Sequence, residues 1–425
     1  MLANNWSTSS SVCTWVGVTC DHRHNRVYSL NLTDMNLGGT ISPSLGNMSF
    51  LVYIRLGSNS FGGELPQEIC RLHKLKHLDL SFNKFVGGIP ATLGDLSQLQ
   101  WLSLSANNSD GFIPQSIGNL RQLNILGLSI NKLSGPIPNS ITNLSSVKEI
   151  YLNNNNFSGF IPKSIGNLRQ LNILGLSSNK LSGPIPHSIT NLSSVEEIYL
   201  NNNNFSGFIP KSIGNLRQLN ILGLNINKLS GPIPHSIANL SSVEEIYLDN
   251  NNISGFIPKS IGNLRQLNIL GLSNNKLSGP IPHSITNLSS VEEIYLNNNN
   301  FSGFIPKSIG NLRQLNILGL SVNMLSGPIP HSITNLSSVE KIYLNNNNFS
   351  GFIPKSIGIL PRLNILGLSI NKLSGPIPHS ITNLSSVEKI YLHNNNFSGF
   401  IPKSIGILPR LKLLSLNDNR LYSEL

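Results

Sequence analysis

The chain has 425 residues, 39% of them hydrophobic and 12% charged, with 36 Gly, 24 Pro and a formal net charge of +11. The hydrophobic share suffices for a core and excludes a disordered chain, and with no run of about 18 apolar residues nothing here spans a membrane. Three Cys are too few for a disulfide-dense scaffold or a multi-Cys zinc module, and the opening MLANNWSTSSS has neither the basic nor the apolar region of a signal peptide.

In chain order, a segment from Trp6 to Val27 comes first and carries Cys13-Thr14-Trp15-Val16-Gly17-Val18-Thr19-Cys20. A strict internal repeat follows. Asn recurs every 24 residues from Asn59 through Asn83 and Asn107 to Asn419, which is sixteen positions, and a degenerate unit around Met35 makes 17. One unit reads Leu120-x-x-Leu123-x-x-Leu126-x-Leu128-x-x-Asn131-x-Leu133-x-Gly135-x-Ile137-Pro138. The alternation at Leu126 and Leu128 predicts a short strand with both side chains inward. Asn131 is expected at a buried corner, bonded to the backbone of neighbouring coils so that no turn group is orphaned. Gly135 permits a bend and Pro138 sits where no donor is needed. The SIGNL and SITNL segments are expected as short 3₁₀ or helical turns. One unit cannot bury its apolar side alone, so stacked units form a solenoid.

From about residue 117 two unit types alternate, one with Asn-Ile-Leu-Gly-Leu-Ser in its strand and one with Glu-Glu-Ile-Tyr-Leu-Asn. This 48-residue block recurs nearly verbatim from Ile165 to Pro402, which reads as duplication of a repeat pair.

The unit resembles the plant-type leucine-rich repeat, marked by L-x-G-x-I-P after the corner Asn, over residues 27–425. The resemblance implies a right-handed α/β solenoid with a parallel concave β-sheet. Residues 1–26 resemble the end of the N-terminal cap of plant receptor-kinase ectodomains, and this implies a Cys13–Cys20 disulfide. Gly39-Thr40-Ile41-Ser42-Pro43-Ser44-Leu45-Gly46-Asn47 and Leu78-Asp79-Leu80-Ser81-Phe82-Asn83 look like the first repeats of the immune receptors that sense flagellin or elongation factor. The start of the usual cap, a C-terminal Cys pair, a transmembrane helix and a kinase signature are missing, so the chain reads as truncated at both ends.

Strand residues flanking the inward Leu positions face the concave side. In one unit type these are Glu149-Tyr151-Asn153, Glu197-Tyr199-Asn201, Glu245-Tyr247, Glu293-Tyr295-Asn297, Lys341-Tyr343-Asn345 and Lys389-Tyr391-His393; the other type offers Ile125-Gly127-Ser129 and its relatives. Two readings stand for this row. Gly opens a slot between Tyr side chains about 10 Å apart, where a peptide stacks on Tyr and bonds to Asn, or Tyr covers neighbouring Gly backbone. The column changes from Glu to Lys along the chain, which suits a ligand with a basic then an acidic segment, or reports drift after duplication. Earlier units place Tyr53, Arg55, His77, Asp79 and Trp101 on three adjacent strands, and aromatics with Arg are the residue types of binding hot spots.

His77 and Asp79 have no nucleophile or carboxylate pair beside them, and an open sheet excludes water poorly, so no enzyme is expected. A full-length relative would carry a Ser/Thr kinase domain. His187, His235, His283, His331 and His379 are two coils apart, too far to share a metal, and read as solvated outer residues. No metal and no cofactor are expected. The basic residues are not interleaved with stacking aromatics, which argues against nucleic acid, although the charge could hold the chain near an anionic wall polysaccharide. Glycan acceptors are expected at Asn143, Asn156, Asn191, Asn204, Asn239, Asn252, Asn287, Asn300, Asn335, Asn348, Asn383 and Asn396, and the Asn-x-Ser/Thr motif also occurs at Asn5, Asn31 and Asn47; Asn107 fits too but is a corner residue. Cys70 has no partner and is expected buried and inert.

The resemblance implies the ligand-binding ectodomain of a plant cell-surface receptor kinase or receptor-like protein in innate immunity, secreted or exterior to the plasma membrane. Its partners would be a peptide or protein on the concave face and a co-receptor kinase with a short repeat ectodomain, and alone it would be monomeric. The alternatives are a secreted binder such as a cell-wall-enzyme inhibitor, or an ice-binding solenoid.

Overall fold

A computed structural model describes residues 6, 7 and 9–422. The Asn5 acceptor lies outside the described residues. The chain divides into two compact units, Met1–Ser206 and Gly207–Leu425.

The first unit opens with Cys13 bonded to Cys20, as the resemblance implied. Trp6 stacks on Trp15 beside this bond, with ring centroids 5.0 Å apart. Strand Val18–Cys20 pairs antiparallel with Val27–Asn31. Parallel strands follow, one per coil: Tyr53–Arg55, His77–Asp79, Trp101–Ser103, Ile125–Gly127, Glu149–Tyr151, Ile173–Gly175 and Glu197–Tyr199. Each residue pairs with the one 24 later, as Ile125 does with Glu149 and Leu126 with Ile150. The second unit repeats the pattern from Ile221–Gly223 to Leu413–Ser415. The central residue of each triplet points inward. Leu126, Leu128, Leu133 and most of their equivalents are buried, while Leu414, Leu416 and Leu421 of the last coil are half-buried; each fully buried Leu is worth about 1.5–3 kcal/mol over an exposed one.

The return segments are 3₁₀ turns, as expected from SIGNL and SITNL. Gln115–Asn119 is one, closed by Leu120 N donating to Ile117 O at 3.2 Å. Gly118 stands where a Cβ would collide with the Ser140 carbonyl of the next coil. Coils therefore approach on this side closely enough that backbone meets backbone.

A second parallel ladder runs through the Leu-x-Gly-x-Ile-Pro segments, and the repeat pattern had suggested only a bend there. Ser134–Pro136 pairs with Asn156–Gly159 in the first unit; Lys276–Gly279, Asn300–Gly303 and Met324–Gly327 pair in the second. The backbone groups after the corner thus bond from coil to coil.

The corner Asn bonds as expected, and to more partners. Asn299 Oδ1 accepts from Leu277 N at 3.0 Å, while its Nδ2 donates to Leu272 O, Leu296 O and Asn297 O at 2.9, 3.3 and 3.2 Å. The residue before it takes a left-handed backbone in every coil, with φ near +55° at Asn154 and Asn298. Asn tolerates that conformation, but Ile130, Ile226, Val322 and Ile370 occupy it too, at φ of 54–57°.

Candidate functional site

The early coils collect an aromatic row on the exposed face of the main sheet. Their strands pair in register, Tyr53 with His77 and His77 with Trp101, so the three side chains stand side by side. His77 stacks on Trp101 with centroids 5.1 Å apart and planes at 19°, and Tyr53 lies 6.3 Å from His77. Tyr28 extends the row, edge-on to Tyr53 at 5.4 Å. It was not singled out from the sequence, because it precedes the triplet that carries the face positions. Arg55 rests over the Tyr53 ring at 5.2 Å, a cation–π contact.

Tyr53, His77 and Trp101 border a groove of about 310 Å³, which Tyr28, Arg55 and Asp79 do not line. Tyr53, His77 and Trp101 form one wall, Lys76 and Lys148 supply cations, and Glu149 of the first Glu–Tyr coil closes the list of charged groups. The sequence-predicted early patch and the start of the Tyr row therefore meet in one place. Trp101 stays 37% exposed, so a large aromatic surface is left for a partner. Burial, with Arg55 close by, pushes the His77 imidazole below its usual value against the opposing pull of Asp79. A neutral ring stacked on Trp101 is a contact surface. Asp79 is turned away to Ser81, accepting from its N at 3.0 Å and its Oγ at 2.6 Å.

In the later coils the side chain nearest the Gly of the row is that of Asn, which fills the space beside Gly175. The Asn153 side chain lies over it, with Oδ1 accepting from Ser177 N and Ser177 Oγ, each at 2.8 Å. Asn297 over Gly319 and Asn345 over Gly367 repeat this, so these Asn are committed to neighbouring coils. Asp249 takes the same place over Gly271; burial raises its carboxyl above the usual range while Ser273 N donates to it at 2.7 Å.

Tyr is committed as well where Glu precedes it. Tyr151 donates to Glu149 Oε2 at 2.9 Å, Tyr199 to Glu197 and Tyr247 to Glu245 at 2.9 Å, and Tyr295 to Glu293 at 2.7 Å. Burial and the bonded carboxylate hold the hydroxyls of Tyr151, Tyr247 and Tyr295 well above the usual phenol range. At Lys341 and Lys389 this partner is replaced by a cation. Burial alone then leads the upward shift of Tyr343, and Tyr391 sits edge-on to His393 at 6.5 Å.

Asn143, Asn191, Asn239, Asn287, Asn335 and Asn383 end 3₁₀ turns and are exposed. Asn204, Asn252, Asn300 and Asn396 are exposed at the start of second-ladder strands, and Asn156 and Asn348 are half-buried there. Asn107 is buried in its corner. Cys70 is buried, and burial raises its thiol. The five His of the 48-residue row are exposed. Among the described residues no helix is long and apolar enough to cross a membrane.

The fold is matched in known proteins. The leucine-rich repeat region model matches residues 107–230 and 202–325, and a further leucine rich repeat model matches 361–421. The chain belongs to the leucine-rich-repeat family, with the fold of plant receptor-kinase ectodomains. The plant peptide hormone receptor RGFR1, solved in complex with RGF2, is 34% identical with a TM-score of 0.89, covering 96% of this chain and 72% of that one. The Arabidopsis receptor kinase HAESA, solved with the peptide hormone IDA and the co-receptor SERK1, is 33% identical with a TM-score of 0.76 over 98% of this chain and 79% of that one. The LRR receptor-like serine/threonine-protein kinase EFR of Arabidopsis thaliana is 51% identical over 72 residues, which is 17% of this chain and 7% of EFR.

Proposed function

We propose that this chain is the ligand-recognition ectodomain of a plant cell-surface receptor kinase or receptor-like protein. It binds a peptide or protein on the main-sheet face, with the Tyr53, His77 and Trp101 groove as its anchor. The observation that carries this reading is the aromatic row itself: contiguous, partly exposed and flanked by Arg55, Lys76, Lys148 and Glu149. The complexes of RGFR1 with RGF2 and of HAESA with IDA and SERK1 support a peptide ligand and a co-receptor. A role in innate immunity rests on the resemblance of the early segments, residues 39–47 and 78–83, to receptors that sense flagellin or elongation factor. The Cys13–Cys20 bond suits an oxidising exterior compartment.

The test is a peptide-display selection on the full chain, followed by calorimetric titration of the selected peptide. Tyr53→Ala and Trp101→Ala each lower affinity by about tenfold or more, as hot-spot truncations do. Unchanged affinity in both variants overturns the assignment of the anchor.

A further inference from the structure

We infer that the second-ladder face of the second unit is a binding surface for a linear, anionic polysaccharide of the uronic-acid type. It is a different face from the peptide groove, and the inference does not rest on that reading.

The face carries a groove of about 2520 Å³, lined by coils of two kinds in alternation. One kind presents Phe304-Ile305-Pro306-Lys307, the next Pro328-Ile329-Pro330-His331. Phe256, Phe304 and Phe352 are 62%, 65% and 64% exposed, which is unusual for so large an apolar side chain repeated in one row. Their rings do not stand free. A Cβ at Gly279, Gly327 or Gly375 would collide with the ring of Phe256, Phe304 or Phe352 respectively, so each ring lies against the next coil's backbone and leaves its remaining surface open. Those Gly also have φ of 71–72°, so two constraints keep a side chain away from the platform.

The ladder sets the period. Strands Asn300–Gly303 and Met324–Gly327 pair in register immediately before this segment, so coils are spaced by about 4.8 Å and Phe platforms by about 10 Å. Pro280, Pro328 and Pro376 continue the apolar column between them. Beside it runs a second column in which Lys259, Lys307 and Lys355 alternate with His283, His331 and His379. All six are exposed. Among the described residues no carboxylate lines the groove. The acids of this unit, such as Glu245 and Glu293, sit on the main-sheet strands instead.

An apolar column of Phe and Pro beside a polar column of Lys and His, both repeating at coil spacing, selects the chemistry of the ligand. An extended chain of pyranose rings advances roughly one ring per coil. Its C–H faces meet the electron-rich faces of Phe, and a carboxylate on each ring meets the Lys and His column. A neutral glucan would use only the first column and a globular acidic protein only the second.

The experiment titrates the full, disulfide-bonded chain with oligogalacturonate, with a neutral cello-oligosaccharide and single-stranded DNA as comparison probes. Oligogalacturonate is expected to bind, with affinity falling as salt rises. Combined Phe256→Ala, Phe304→Ala and Phe352→Ala lowers affinity about tenfold or more. Combined Lys259→Gln, Lys307→Gln and Lys355→Gln, all at exposed positions and unable to unfold the core, lowers it similarly and flattens the salt dependence. Absence of oligogalacturonate binding overturns the inference, as does indifference to the Lys variant, or equal or tighter binding of either comparison probe. Sedimentation of the unliganded chain gives another decisive outcome: a dimer that the Phe variant converts to monomer assigns the groove to a second copy and overturns the inference.

Discussion

Replacing Asn299 by Ala tests how the coils are held together. The side chain accepts one hydrogen bond and donates three, but its partners are not equally dependent on it. Leu272 O also accepts from Asn275, Leu296 O from Asn323, and Asn297 O from Asn274 N. All three carbonyls therefore keep a donor. The N–H of Leu277, a residue with no exposed surface, loses the acceptor that Asn299 supplied. One orphaned buried N–H plus the weakened sharing costs about 2–4 kcal/mol. In hydrogen exchange read by mass spectrometry on the full chain, this is roughly 30- to 900-fold faster exchange, confined to the coils bearing Leu277 and Asn299 because a repeat array opens locally. Asn299→Asp keeps the acceptor for Leu277 N but aims a carboxylate at Leu272 O and Leu296 O, so it is expected to do no better. Exchange that stays unchanged, or that rises evenly over all coils, refutes the reasoning.

The remaining predictions concern strain, charge and close contact. Ile370→Asn relieves a β-branched residue held at φ 54° and exposed to solvent, and is expected to stabilise its coils by about 1 kcal/mol in local exchange. Burial and Arg55 push the His77 imidazole down from the ordinary histidine value of about 6.5, so the unfolded state binds more protons as pH falls below that value. The stability of the Tyr53–Trp101 coils accordingly drops on acidification through that range, and His77→Phe flattens the profile measured by exchange at several pH values. Gly279→Ala forces a Cβ into the Phe256 ring and lowers the melting temperature; adding Phe256→Ala removes the clash but leaves the cost of φ +71°, so the double variant recovers only part of the loss.

The period of 24 made the repeat, the inward Leu column, the bonded corner Asn and the 3₁₀ returns legible from the sequence. Side-chain alternation decides which way a residue faces, so Tyr53, His77 and Trp101 could be placed on one surface before their rings were seen to stack. What periodicity does not carry is the direction a side chain leans along its column. Asn153 leaning onto Gly175 and Phe304 covering Gly327 are contacts of that kind, and Tyr151 turning to Glu149 within its own strand was no more legible. The Gly positions held a hint, since a Gly in a strand often marks a neighbour's close approach, but not the identity of the neighbour. The second ladder was hidden because Ser-Gly-Pro has poor strand propensity alone and pairs only once coils are stacked.

The shared acceptors at the corners also bear on how such a chain can change in length. Leu296 O takes one donor from Asn299 in its own coil and one from Asn323 in the next, and every inner coil offers the same socket to its successor. Splicing in or removing a 48-residue pair thus joins ends that already match, in backbone bonding and in Phe–Gly fit alike. Genetic slippage at this locus would yield chains whose coils bond and pack alike, differing in the number of coils rather than in architecture.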